Sequence, residues 1–147
     1  MQNFSLTCHI LKTNDELRIA KGPVLRPEIR DRQKSVVSAE EIQQAAHEFM
    51  IGLRKGETTS GYMHRDFHKA DERFPIVESY ITEVEMVVPR EKRLAVAGET
   101  GEGDIIIPAG SWVMAFKVLD DQVWEQIVSG VTKGFSIGGT AEIVPED

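Results

Sequence analysis

Gly134-Phe135-Ser136-Ile137-Gly138 places a serine between two glycines, the small-residue pattern that lets backbone and substrate approach a nucleophilic Oγ closely. A serine attacks only when a base takes its proton, and a neutral imidazole with a pKa near ~6.5 is suited to that at neutral pH. The four histidines, His9, His47, His64 and His68, all precede Ser136. In an α/β-hydrolase, the usual owner of this pattern, the histidine follows the serine. Order therefore excludes that fold, and 147 residues is also short for it. Any pair in this chain runs histidine first, as in some other serine hydrolases.

His64 is the best candidate for the base. It ends a short segment leaving a loop over 56–61, rich in Gly, Ser and Thr, and precedes a strand-like run, where an imidazole stays accessible. His9 alternates within a probable strand, and His47 sits in a helix with no partner visible in sequence. The residues alone leave two readings of His64, a base for Ser136 or a surface loop residue. His64-x-x-x-His68 has zinc-ligand spacing, but such a pair needs one helix face. Arg65-Asp66-Phe67 gives no reason for a helix, so no metal is expected. The single cysteine, Cys8, rules out an internal disulfide and a cysteine-built zinc site; it reads as a small half-buried strand residue.

The elements that must position these groups follow from periodicity. Residues 4–12 and 18–25 read as two paired strands around the turn formers Thr13-Asn14-Asp15, the second lying at an edge or ending near Pro23 and Pro27. Ser38-Ala39-Glu40-Glu41 is a capping box. After it Ile42, Ala45, Ala46, Phe49, Met50 and Leu53 form one apolar helix face that stops at Gly56. Phe74–Ile81, Ile105–Ile107 and Trp112–Val118 are strand-like, and 82–104 reads as an exposed hairpin or loop. A second helix is expected from Asp120-Asp121 to Gly130, burying Val123, Trp124, Ile127 and Val128. A glycine-broken strand over 133–144 closes the chain. The scheme is α+β, mostly antiparallel strands with two packed helices.

A chain of this length buries about 70% of its unfolded surface, enough for one core, so residues 1–147 are expected to form a single domain. Hydrophobic residues make up 41% and charged residues 28%, the balance of a folded chain rather than a disordered one. Seventeen Lys+Arg against 24 Asp+Glu give a net charge of −7. That argues against a general nucleic-acid binder, which needs clustered cations to displace counterions. No apolar run approaches the ~20 residues of a membrane span. The N-terminus also lacks the basic head and apolar stretch of a secretory signal, so no export is expected.

Blocks in one order carry a resemblance. Ser38–Ile42 with Ala45–Met50, then Met63-His64, Val77–Ile81, Gly110–Met114, Val118–Asp121 and Gly134–Gly139 resemble the XkdF-like putative phage serine proteases, relatives of the prohead maturation proteases of tailed phages. The resemblance covers roughly residues 18–143. It implies an endopeptidase in the host cytoplasm, inside the assembling procapsid, with phage scaffold and major capsid protein as substrates. Self-association is compatible with it, and no nucleic acid, membrane, cofactor or metal is implied. The implied fold is of the herpesvirus-assemblin type, a twisted, mostly antiparallel β-barrel surrounded by helices.

Carried onto this chain, the resemblance makes Ser136 the nucleophile and His64 the general base and then acid. A carboxylate is wanted to hold the imidazole. Glu142 is one contender, because its even offset from Ser136 puts both on one face of a regular strand. Glu78 is the other. Backbone N–H groups near Ile137, Gly138 and Gly139 would form the oxyanion hole. Two departures from the family pattern stand out. The chain runs only 11 residues past Ser136, where relatives commonly continue, and Arg30–Ser35 stands where an Asp-Gln-Gly-Asp-like turn is expected. Either departure is compatible with a fragment, a processed form or an inactive copy, and the alternative reading is a non-catalytic scaffold-binding assembly module or an inactive fragment of such a protease.

Overall fold

Ser38 opens the first helix as its sequence dictates. In a computed structural model of the chain, which describes residues 2–27, 37–55, 58–61, 73–89 and 103–141, the Ser38 Oγ accepts from the Glu41 N–H at 3.2 Å. The Glu41 carboxylate in turn accepts from the Ser38 hydroxyl at 3.0 Å, so the capping box is closed. Helix α1 (Ala39–Lys55) turns Ile42, Ala46, Phe49 and Gly52 inward. Met50, expected on that face, is 38% exposed, because it lies one ~100° step around the helix from Phe49.

The strands are β1 (Gln2–His9), β2 (Lys12–Asn14), β3 (Ile19–Leu25), β4 (Thr58–Gly61), β5 (Ile76–Ile81), β6 (Met86–Val88), β7 (Ile105–Ile107), β8 (Trp112–Lys117) and β9 (Gly134–Ala141), with helix α2 (Asp121–Val128) before β9. Every ladder is antiparallel. One sheet has the order β1-β9-β4, a second β2-β3-β8-β5, and β6 pairs β7 in a two-stranded ribbon at the base of the charged stretch 82–104. Residues 90–102 of that stretch lie outside the described residues.

The fold is thus α+β and mostly antiparallel, but among the described residues the strands form three sheets and no closed barrel. The reason lies at Ile10–Leu11. The run 4–12, expected as one strand pairing with 18–25, breaks there. Its first part pairs β9 instead, from Gln2↔Ala141 to His9↔Gly134, and only Lys12–Asn14 pairs β3. At the break the Ile10 N–H donates to the Lys133 carbonyl at 3.0 Å and the Leu11 N–H to the Lys21 carbonyl at 2.9 Å. One donor serves each sheet, so the chain passes from one to the other rather than running on as a barrel stave. β1 crosses β3 closely at Gly22, where a β-carbon would stand 1.6 Å from the His9 carbonyl oxygen. Pro23 lies past the end of β2 and next to a bulge opposite β8, where its missing N–H removes no bond to β2.

The core fills the space between the two larger sheets and α1. Phe74 stacks on Phe135 at 4.3 Å between centroids, Phe116 leans on Phe135 at 4.6 Å, and Phe49 meets Trp112 at 5.7 Å. The buried Trp112 indole donates to Ser79 Oγ at 3.0 Å, so its one polar atom is satisfied. A second cluster of Leu11, Val88, Ile105, Ile107 and Val113, with Tyr80 and Met86 against it, seats the ribbon on the other face of β8. Asp120 caps α2 by accepting from the Val123 N–H at 2.9 Å. Val123 and Ile127 are buried, whereas Val128, expected inside, is 47% exposed. Eight residues present a single i, i+4 stripe, and Val128 falls beside it. No helix among the described residues is long and apolar enough to cross a membrane.

Cys8 sits wholly inside this junction, its thiol donating to the Gly22 carbonyl at 3.3 Å and lying 3.9 Å from that of Met114. Burial pushes its pKa up from 9.0 to about 12, because the thiolate would have to leave water. The folded pKa exceeds the unfolded one, so this group's contribution to stability is complete below pH 9 and is lost as pH rises from 9 towards about 12. In native protein Cys8 should resist alkylation by iodoacetamide while the unfolded chain reacts. The thermal midpoint of the wild type should fall across that alkaline window more steeply than that of Cys8→Ala. The crossing gives a second expectation. Gly22→Ala should destabilise by about 3 kcal/mol or more in urea titrations, because the clash is with backbone that has no room to shift.

Candidate active site on the central strand of the small sheet

Strand β9 alternates. Phe135 and Ile137 point into the aromatic core and are fully buried, so Ser136 and Gly138 take the opposite face. Ser136 is nevertheless only 3% exposed. On one side it stands opposite Thr7 of β1, and on the other opposite Gly61, the last residue of β4. A β-carbon at Gly134 would lie 2.9 Å from Thr7 Cγ2 and 2.8 Å from the Cys8 carbonyl oxygen. The glycine before the serine therefore makes room for the Thr7 methyl, which forms a wall beside Ser136. His9 is opposite Gly134, diagonal to Ser136 across that methyl.

The expected partners are placed unequally. His64 and His68 lie outside the described residues, as does Glu142. β9 stays extended to Ala141, which pairs Gln2, so five residues carry the chain about 17 Å from Ser136. The even offset that puts Glu142 on the serine's face thus also carries the strand away from it. Glu78 is described. It stands on β5 of the four-stranded sheet, half exposed, with Oε1 3.9 Å from Lys21 Nζ, and so belongs to a different sheet from Ser136. Gly138 and Gly139 are paired on both sides, with Ser5 and Phe4 of β1 and with Thr59 and Thr58 of β4. In a central strand the N–H groups lie in the sheet plane and are engaged by neighbours, so these glycines offer donors to an oxyanion only where a ladder releases them.

Thr7 and Gly61, the two residues that flank the serine, were not legible from the serine motif. They reach it through pairing of the first strand with the last and of β4, a strand at Thr58–Gly61 where a loop was expected, with the same strand, contacts that join residue 136 to residues 7 and 61. The signal that was available is β9's own alternation, with Phe135 and Ile137 apolar and Ser136 between them. Gly134→Ala should lower stability by about 1–3 kcal/mol, because the added methyl meets Cys8 backbone as well as Thr7. A chemical-denaturation midpoint that fails to move would show that the Thr7 methyl is not held there.

The sequence matches the family described as putative phage serine protease XkdF over residues 7–145. It is 28% identical over 133 residues to the phage-like element PBSX protein XkdF of Bacillus subtilis (strain 168), covering 90% of this chain and 40% of that protein. It is 31% identical over 135 residues to the uncharacterized protein YqbD of the same strain, covering 92% of this chain and 35% of that one. The chain spans well under half the length of either relative. No solved structure matches it. With a family match running from within β1 to beyond the end of β9, the chain belongs to the XkdF family of putative phage serine proteases.

Proposed function

We propose that the chain is a serine endopeptidase domain in which Ser136 attacks the scissile carbonyl and His64 takes and returns the proton, cutting scaffold and capsid-protein segments during procapsid assembly. The observation that carries this reading is the pairing of Ser136 with Gly61. Two residues, Tyr62 and Met63, separate Gly61 from His64, so three Cα-to-Cα steps span at most about 11 Å. That a strand neighbouring the serine ends so few residues before the histidine supports this pair. An imidazole that reaches Oγ would activate it as a nucleophile, and the family name supports a protease.

Of the two carboxylates, Glu142 follows β9 directly, whereas Glu78 is engaged by Lys21 on the other sheet. The orienting role is assigned to Glu142, which lies one Cα step of about 3.8 Å past Ala141 and would hold the imidazole only where His64 reaches along the sheet towards that end of β9. An oxyanion would draw on the N–H groups of Gly138 and Gly139 only if a neighbouring strand moved away, since both residues are paired on both sides. The burial of Ser136 favours a second reading, the scaffold-binding assembly module without catalysis, since a polypeptide must displace what covers a serine that is 3% exposed.

A small electrophile tests the site before a polypeptide does. A fluorophosphonate should label wild-type protein at Ser136, and Ser136→Ala and His64→Gln should each lower labelling or scaffold cleavage by about a thousandfold or more. Glu142→Gln should slow labelling markedly, and Glu78→Gln should leave the labelling rate within about twofold. Equal processing of the cognate scaffold by wild type and Ser136→Ala would remove the protease reading and leave the assembly module.

A further inference from the structure

The outer face of the four-stranded sheet is only half covered. The β6–β7 ribbon packs over Val113, Tyr80 and Leu11, and beyond it lies an open cleft of about 270 Å³ lined by Lys12, Thr13, Asn14, Leu17, Ile19, Lys21 and Glu78. Register explains its chemistry. Lys12 stands directly opposite Lys21, Lys21 opposite Ala115, and Ala115 opposite Glu78, one row across all four strands. In the adjacent row Ile19 stands opposite Lys117, bringing a third lysine to the same face. Like charges set directly opposite one another on a sheet are unfavourable. Only Lys21 has an ion-pair partner among these three within the described residues, the Glu78 carboxylate at 3.9 Å.

Lys21 is also held in place. Its ammonium lies 4.9 Å from the centroid of the Tyr80 ring, and its side chain is 19% exposed, with the small Ala115 leaving the trough over which it reaches. The cleft itself is thus lined by two lysines and one carboxylate, with Lys117 on the same face by register, in a chain whose net charge is −7. We infer that this cleft docks an acidic segment of a partner polypeptide, its carboxylates falling between Lys12 and Lys21. The row spans about 14 Å from β2 to β5, room for about four residues of extended peptide. Long polyanions such as nucleic acids are disfavoured, because the acidic remainder of the surface repels whatever extends past the cleft. The site is independent of Ser136, which stands on the other sheet.

The inference is tested by fluorescence anisotropy with a fluorescein-labelled oligoglutamate peptide at low ionic strength. Wild-type protein should bind it, and added salt should weaken binding. Lys12→Glu combined with Lys21→Gln should weaken it by about tenfold or more. Glu78→Gln should tighten it by about two- to threefold, a gain that loss of folding cannot mimic, and thermal midpoints report the integrity of each variant. Absence of binding by the wild type, equal binding by wild type and the double variant, or weaker binding by Glu78→Gln would overturn the inference. So would an oligonucleotide of equal charge that outcompetes the peptide, which would assign the cleft to nucleic acid.

Discussion

The close passage of β1 over Gly22 is the constraint on which the remaining geometry depends. With the His9 carbonyl where a β-carbon would otherwise stand, the first strand cannot continue along β3. It must leave one sheet and enter the other within two residues. The Ile10 and Leu11 N–H groups, one bonded to each sheet, fix the point of transfer. Because backbone donors and acceptors must be paired wherever they are buried, this junction admits little slippage. A one-residue shift of β1 would turn Cys8 from the core to the opposite face.

From that junction the position of the candidate nucleophile follows. β1 in fixed register sets β9, and β9 places Phe135 in the stack with Phe74 and Phe116. The same alternation that buries Phe135 and Ile137 turns Ser136 to the other face. Aromatic burial and serine orientation are thus two consequences of one strand register. Aromatic side chains contribute large buried areas, so the core holds the serine's backbone rigidly on a central strand. A reacting group held on a rigid element rather than a loop is a precise one.

The two faces of the architecture have contrasting chemistry. The small sheet sets glycines and a threonine methyl beside a Ser136 that is itself buried. The large sheet presents lysines beside a seated hydrophobic ribbon. Family membership rests on the sequence match from residue 7 to residue 145, and the residues of both faces fall within it. The relatives are more than twice as long as this chain, which contains the serine motif together with the strand that precedes His64 in sequence.

Much of the secondary structure was legible in the sequence because it is local. The capping box at Ser38, the stripe Ile42, Ala46, Phe49, the cap at Asp120 and the strands at 76–81, 105–107, 112–117 and 134–141 rest on neighbouring residues, where side-chain spacing and short-range hydrogen bonds decide. The identity of Ser136 as a serine between glycines was equally plain. What the linear pattern did not carry was pairing. That residues 2–9 join β9 rather than β3, that no sheet closes on itself among the described residues, that Glu78 and Ser136 lie on different sheets, and that three lysines share one face were decided only by tertiary structure. Ladders join residues more than a hundred positions apart, and their register depends on core packing and steric room at a single glycine, neither of which leaves a periodic trace along the chain.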